Sequence, residues 1–295
     1  MRGQLEELMF LGKFFSRMPI CSAIACGLLS ACSQGPDMSG IAAERERPVH
    51  RYDISQAIAS NGKVVVVGTQ SGVILTSEDQ GKSWKRIPLG NTSLVDVTVC
   101  GDQGFVAIDH YHKVWSADAE GKKWNSVSLA MPRTPLAVTC DKQGGWWVVG
   151  VNSVIAGSAD HGATWKTTEL GEDTQITAIQ FLDERNAIAL GEFGLSVTSD
   201  DGGVTWKKGP KMPGDFYPYA ALFASRTEGW VAGVAGQMLT TTDGGKTWRK
   251  QPNTTGASLN RLFMHEGKPF GVGAGGVIAQ LEGNSWRAVT YTDAV

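Results

Sequence analysis

Asp109, His110 and His112 stand within four residues of one another. Two imidazoles two apart on an extended segment can point the same way, and with a carboxylate they make the start of a divalent-metal site. No third nitrogen or sulfur ligand lies near them in sequence, so neither a metal nor a cofactor is expected. Glu192 and Tyr217 are a carboxylate and a phenol, the pair that can serve as base and nucleophile, but nothing in the sequence brings them together. The G-x-S-x-G, H-E-x-x-H, phosphate-loop and dinucleotide-binding fingerprints are absent. What the chain does repeat is an aspartate in a fixed setting.

That setting is "SADHGATW" at 158–165, and it recurs as "SEDQGKSW" (77–84), "SDDGGVTW" (199–206) and "TTDGGKTW" (241–248). "SADAEGKKW" (116–124) carries one extra residue, and "QLEGNSW" (280–286) has lost the aspartate. The aspartates are Asp79, Asp118, Asp160, Asp201 and Asp243. The closing tryptophans, Trp84, Trp124, Trp165, Trp206, Trp248 and Trp286, follow one another about forty residues apart, the mark of a repeat architecture. Each unit holds four short apolar runs separated by Gly- and Asp-rich turns, as in "ITAIQF", "NAIALGEFG" and "LSVTSDDGGVTW". Four strands per unit arranged around a ring predict an all-β, six-bladed β-propeller, with seven blades as the alternative. In each unit the Asp accepts backbone N–H bonds across the turn, the Gly supplies a positive φ, and the Ser or Thr adds a hydroxyl. The Trp opens the outermost strand and fills the gap between neighbouring sheets. The repeated aspartates are thus read as structural clips.

The pattern S/T-x-D-x-G-x-S/T-W resembles the Asp-box, or BNR repeat, of sialidases and several unrelated propellers. With the G-x-x-G step in "VVGTQSGVIL", "ALGEFGLSV" and "VAGVAGQML", residues 51–291 look more specifically like the photosystem II stability/assembly factor family of BNR propellers. The resemblance implies a propeller that binds and assembles rather than catalyses. Photosynthetic members have seven blades, whereas six Trp-closed units are countable here. Exported relatives in non-photosynthetic bacteria lie beside genes for resistance–nodulation–division-type exporters, which makes an accessory role at such a transporter the specific version.

The sialidase branch implies an alternative, a carbohydrate-binding or glycosidase propeller. It would need a Tyr–Glu pair, an acid, and three arginines for the substrate carboxylate. Arg86, Arg249 and Arg287 follow their Trp on outer strands and are expected to face solvent. Arg185 and Arg226 fall in turns on the clip face. Only Arg51, Arg133 and Arg261 are placed to approach the open face or the central channel.

With 27 basic and 29 acidic residues the net charge is −2, which gives no electrostatic footprint for nucleic acid. Lys13 and Arg17 precede an apolar run, Ile20–Leu29, too short to span a bilayer and suited to a signal peptide. Arg2, Glu6 and Glu7 suit a signal poorly, so translation is expected to start at Met9. The run ends in "LSAC" (29–32), which resembles a bacterial lipobox with Cys32 as the lipidated first residue. Ser33 after it implies the outer membrane by the enteric sorting rule. The expected organisation is a signal peptide (1–31), a lipidated Cys and flexible tether (32–50), the propeller (51–291) and a tail (292–295). A coil of that tether's length spans about 25 Å. Cys100 and Cys140 end inner strands of adjacent blades. They read either as buried Phe-like core positions or as a disulfide, with the spacing of neighbouring blades weighing against the bond. His50, His161 and His265 read as surface or satisfied histidines.

With the clips crowding one face, the opposite face is the candidate for binding, because loops vary on a rigid scaffold. It carries Asp109, His110, Tyr111 and His112 in blade 2, Arg133 in the next connection, and Glu192 and Phe193 in blade 4. The longest connection, "GPKMPGDFYPYA" (209–220), adds Asp215, Phe216 and Tyr217. Phe216 and Tyr217 are either anchors for a partner or plugs between blades 4 and 5. The expected protein is a lipid-anchored, periplasm-facing monomer without catalysis whose partner is a membrane or envelope protein.

Overall fold

The computed structural model describes residues 37–290. It divides into two units, Met1–Arg47 and Pro48–Val295. In the first, Ser39–Arg45 forms a two-turn helix, α1, with no buried residue, and Glu44 pairs with Arg47 at 3.3 Å. This differs from the flexible coil expected across 32–50. Ala42, Ala43, Glu44 and Arg45 are strong helix formers with no β-branched residue among them. Cys32 and the signal segment lie outside the described residues, as does the tail at 292–295.

The second unit holds six four-stranded antiparallel sheets, each built from consecutive strands. Blade 1 is β1–β4 (Ser55–Ser60, Val65–Thr69, Val73–Ser77, Lys85–Pro88) and blade 2 is β5–β8 (Leu94–Val99, Phe105–Asp109, Lys113–Ala117, Trp124–Ser128). Blade 3 is β9–β12 (Pro135–Cys140, Trp146–Gly150, Val154–Ser158, Lys166–Glu169) and blade 4 is β13–β16 (Ile176–Phe181, Ala187–Gly191, Ser196–Ser199, Lys207–Lys208). Blade 5 is β17–β20 (Pro218–Phe223, Gly229–Gly233, Met238–Thr241, Arg249–Lys250) and blade 6 is β21–β24 (Leu259–His265, Lys268–Gly273, Ile278–Glu282, Ser285–Ala288). The first strands of successive blades lie against one another, which sets them around the axis. The fold is the six-bladed propeller expected from the repeat. Among the described residues each blade draws its four strands from one consecutive stretch of chain.

The clips form as the repeat predicts. Asp160 Oδ1 accepts the Ser158 hydroxyl and the Thr164 amide, both at 2.8 Å, and its Oδ2 accepts the Thr164 hydroxyl at 2.6 Å. Ser158 in turn accepts the Gly162 amide at 2.8 Å, where φ is +85°. Asp79, Asp201 and Asp243 repeat this geometry. Blade 2's longer turn leaves Asp118 a single 3.2 Å bond from the Lys122 amide. Blade 6, which lacks the aspartate, is tied instead through the preceding connection. Trp286 is fully buried there, its indole donating to Gln251 and its amide to Pro252, both at 2.9 Å.

Each indole packs toward the preceding blade. Trp124 joins Val66, Ile74 and Phe105 between blades 1 and 2, and Trp165 joins Val106, Val138 and Val148 between blades 2 and 3. Trp206, Trp248 and Trp286 fill the next three seams in the same way. Trp84 differs, because its cluster with Val67, Val73 and Leu75 holds blade 1 residues alone among the described residues. Across that seam, Ile58, Phe263 and Met264 are exposed. Phe270 and Val272 are only half-buried, although they occupy the register positions of the buried Trp230 and Ala232 in blade 5. The segment before β1 folds back on blade 1 itself. Arg86 holds the Asp53 carboxylate with bonds of 2.6 and 3.0 Å, so this arginine does not simply face solvent. His50 is buried beside Tyr52, its ring nitrogens without a protein partner, which corrects its reading as a surface or satisfied histidine. His161 stands against the Trp146 ring.

At the axis, Cys100 and Cys140 are bonded, with Cα atoms 5.2 Å apart. Of the two readings left open, the disulfide holds; the blade spacing that weighed against it applies farther out, and first strands converge closely enough at the centre. Asp96 on β5 accepts the Val97 and Val138 amides at 2.9 and 3.0 Å and pairs with Arg261 of β21 at 2.6 Å. One carboxylate thereby ties blades 2, 3 and 6.

Two outcomes follow. Donated hydroxyls and amides hold the carboxyls of Asp79, Asp160, Asp201 and Asp243 at about 2, below their ordinary 3.8. A depressed folded-state pKa adds stability that is present above the unfolded value and lost as pH falls through the folded one. Denaturant midpoints should be flat from about pH 7 to 5 and fall toward pH 2. Asp160→Asn with Asp201→Asn should make that fall shallower; an unchanged slope would contradict the clip chemistry. Amide hydrogen exchange should also be faster in β1–β2 and β21–β22, which border the poorly packed seam, than in β9–β10 and β13–β14. Uniform protection around the ring would contradict the seam's description.

Candidate functional site

The face opposite the clips gathers the second-to-third strand turn of every blade and the connections between blades. In blades 3 to 6 this turn is a single 3-10 turn whose central residue has a left-handed backbone: Asn152, Phe193, Ala235 and Gly275. The turns are fastened to the adjoining connections. The Gly194 amide donates to Phe216 O and the Glu192 amide to Gln175 O, both at 2.9 Å. Gly194 is required, since a Cβ there would lie 2.4 Å from Met212 O at a φ of +76°. The loops of this face are therefore set by backbone bonds to a rigid ring.

Two residues expected to meet a partner are used internally. Asp109 is fully buried and accepts the Trp115 indole and the Tyr111 amide at 2.8 Å, the Lys113 amide at 2.9 Å, and the Thr92 hydroxyl. It replaces the glycine that ends this strand in blades 3 to 6, and its carboxylate organises the turn. Phe216 is only 2% exposed and packs with Met212, Leu190 and Val231 between blades 4 and 5, so it plugs the seam. His110 is exposed, while the His112 ring is turned to the carbonyl of Arg133. Of the three arginines that could approach a substrate carboxylate, Arg261 is committed to Asp96 at the axis. Arg226, expected on the clip face, pairs with Asp183.

The structure does bring Glu192 and Tyr217 together. Burial and a hydrogen bond to the Glu192 carboxylate push the Tyr217 hydroxyl up to about 12. The other anchor of Glu192 is the Gln175 amide, 2.8 Å from Oε2. Tyr217 is half-buried, and its ring meets Tyr219 edge-on at 5.9 Å. Tyr219 is 42% exposed and Phe193 54%. Asp215, with φ +47°, is exposed on the same connection. Tyr111, in blade 2, is 58% exposed. Tyr219 belongs to the aromatic 209–220 connection singled out in the sequence. A β-bulge between Pro218 and Ala220 turns it outward, and bulges of this kind recur in the first strands of all six blades. Val234, Tyr52 and Ile54 extend the exposed apolar surface without a motif to announce them.

Phe193 departs most from its counterparts in the other blades. An aromatic residue at φ +55° is a rare and costly conformation, worth of order 1–3 kcal/mol. Its counterparts are Asn, Ala or Gly, and the strained ring is directed to solvent rather than into a core. Replacing Phe193 with Asn should raise stability by about 0.5–1 kcal/mol in denaturant titration, because Asn tolerates this backbone. A loss of stability would show that the ring is held by packing.

A family profile described as "Photosynthesis system II assembly factor YCF48" matches residues 116–225, and a BNR/Asp-box repeat profile matches 239–250. A curated relative, "Photosystem II assembly lipoprotein Ycf48" of Synechococcus sp. (strain CC9902), is 31% identical over 117 residues, 37% of this chain and 35% of that protein. The match thus spans about a third of the relative's length. Among solved structures, YCF48 from Cyanidioschyzon merolae superposes with a TM-score of 0.61 at 20% identity, covering 76% of this chain and 79% of that one. YCF48 bound to D1 peptide gives 0.62 at 17% identity over 82% and 79%. A catalytically inactive virginiamycin B lyase from Staphylococcus aureus gives 0.68 at 15% identity over 82% and 86%. At these identities the superpositions establish the propeller fold alone. The chain is a propeller of BNR/Asp-box repeats that resembles the photosystem II assembly factors.

Proposed function

We propose that this chain is a non-catalytic, protein-binding assembly or accessory factor for a membrane complex of the bacterial envelope. The observation that carries this reading is the exposed aromatic surface around Phe193 and Tyr219, held on backbone-fastened loops opposite the clips. It is supported by the curated relative, named an assembly lipoprotein, and by the related propeller solved with a peptide. On this reading Cys32 carries the lipid, the segment after it tethers a monomeric propeller, and the binding face looks into the periplasm from the outer membrane. An exporter of the resistance–nodulation–division type is the specific partner proposed. Tyr111, His110 and Arg133 form the outlying part of the same face.

The juxtaposition of Tyr217 and Glu192 favours a second reading, a glycosidase with a tyrosine nucleophile. Against it, Arg261 is paired with Asp96 at the axis. A site of that kind needs a set of arginines free to hold the substrate's carboxylate.

Crosslinking and recovery of the full-length protein from native membranes tests the proposal. The wild type should retain a stoichiometric envelope protein that the Phe193→Ala/Tyr219→Ala variant loses, with a fluorogenic sialoside left intact by both. Identical partners for the two proteins would overturn the role of this surface, and turnover of the sialoside would overturn the non-catalytic reading.

A further inference from the structure

Glu192 is a half-buried carboxylate with no cation beside it. Among the described residues it makes no ion pair; the Gln175 amide donates to Oε2 at 2.8 Å, and the Tyr217 phenol interacts with the carboxylate from the next connection. Both neighbours are neutral groups, so no positive charge stands against the carboxylate there. Aromatic residues stand close by. Tyr217, which interacts with Glu192, meets Tyr219 edge to face at 5.9 Å and 70°, and the exposed Phe193 follows Glu192 directly in the chain. The neighbouring connections add exposed carboxylates at Asp173 and Asp215 against one lysine, Lys211. Glu172 is already neutralised by Lys208.

We propose that this corner between blades 4 and 5 receives the cationic side chain of a lysine or arginine on the partner polypeptide. The inference rests on the reading of this face as a protein-binding surface, and names what that surface recognises. The choice of occupant follows from charge complementarity. An apolar anchor would cover Glu192 and leave a buried carboxylate unpaired, which is strongly unfavourable. An acidic residue would be repelled by Glu192, Asp173 and Asp215. A cation pairs with the carboxylate and lies on the electron-rich faces of the tyrosines, and both interactions strengthen as water leaves the corner. A guanidinium gains in addition from stacking on a ring while donating to the carboxylate in plane.

The test uses full-length protein labelled with 3-fluorotyrosine, titrated with butylguanidinium, butylammonium, butyramide and butyrate while the fluorine resonances of Tyr217 and Tyr219 are followed. The two cations should shift these resonances saturably and the neutral and anionic probes should not. Glu192→Gln, which keeps an acceptor for the Gln175 amide, should abolish the saturable shift. Equal responses to cation and amide, or an unchanged response in Glu192→Gln, would overturn the assignment. In membrane capture, Glu192→Gln should reduce partner recovery by about tenfold or more, as loss of one member of a desolvated charge pair does. Loss of the partner with Phe193→Ala/Tyr219→Ala but full retention with Glu192→Gln would overturn the cation assignment while leaving the binding face standing. Retention by both variants would overturn the two readings together.

Discussion

The seam between blades is the constraint on which this structure depends. A four-stranded sheet has two apolar faces and cannot bury either alone, so each blade is stable only against its neighbours. Five seams are closed by the same device, an indole from the outer strand of the following blade laid on the sheet before it. An aromatic side chain of this size buries about 150–250 Å², or about 4–6 kcal/mol of gross transfer free energy. The indole N–H groups of Trp165, Trp206 and Trp248 have no protein partner, so burial rather than hydrogen bonding holds these rings. The clip enters as the means of aiming them. A carboxylate that fixes the turn from Ser158 to Thr164 leaves the next residue, Trp165, one direction in which to point.

The axis solves a different problem. Inner strands bring polar backbone edges to a narrow space, and charge is placed there only where it is fully used. Asp96 meets two amides and a guanidinium, and Arg261 also donates to Val97 O at 2.9 Å. The pair joins blade 6 to blade 2, reaching past blade 1 at the place where the outer seam has no shared apolar cluster. The disulfide between Cys100 and Cys140 adds a covalent tie between blades 2 and 3 on the same inner ring. Rim and axis thus use opposite chemistry, apolar burial outside and saturated polar contacts inside.

What the sequence made legible is what recurs. Strand number, the clips, the indole positions and the face assignment all follow from period and turn chemistry, because a repeat samples the same physics six times. Residues read once were harder. Phe216 and Tyr219 sit three apart on one connection with similar chemistry, yet the first is a plug and the second is exposed; a bulge at Pro218 and the approach of Gly233 to the Phe216 ring decide this, and neither has a sequence mark. Asp109 resembled a ligand because its turn departs from the glycine pattern, when the departure is itself the turn's hydrogen-bonding solution. The Cys100–Cys140 bond depended on how fast the blades converge toward the axis, a distance that alignment of repeats does not carry.

The location of strain completes the argument. Left-handed turns in blades 3 and 6 are filled by Asn and Gly, the residues that adopt that backbone most readily, and in blade 5 by the small Ala235. Blade 4 alone places a phenylalanine there, next to a carboxylate without a counter-ion and beside paired tyrosines. Each feature is unfavourable for the isolated chain: strain at Phe193, exposed apolar rings, and a half-buried carboxylate at Glu192 without an ion-pair partner among the described residues. A ring with five well-packed seams and a satisfied axis can tolerate such a corner, since the loop is pinned by the Gly194 and Glu192 amides rather than by its own side chains. Stability is generated where the repeat is regular; the blade 4 turn is where those costs are concentrated and where, on the proposed reading, a partner would relieve them together.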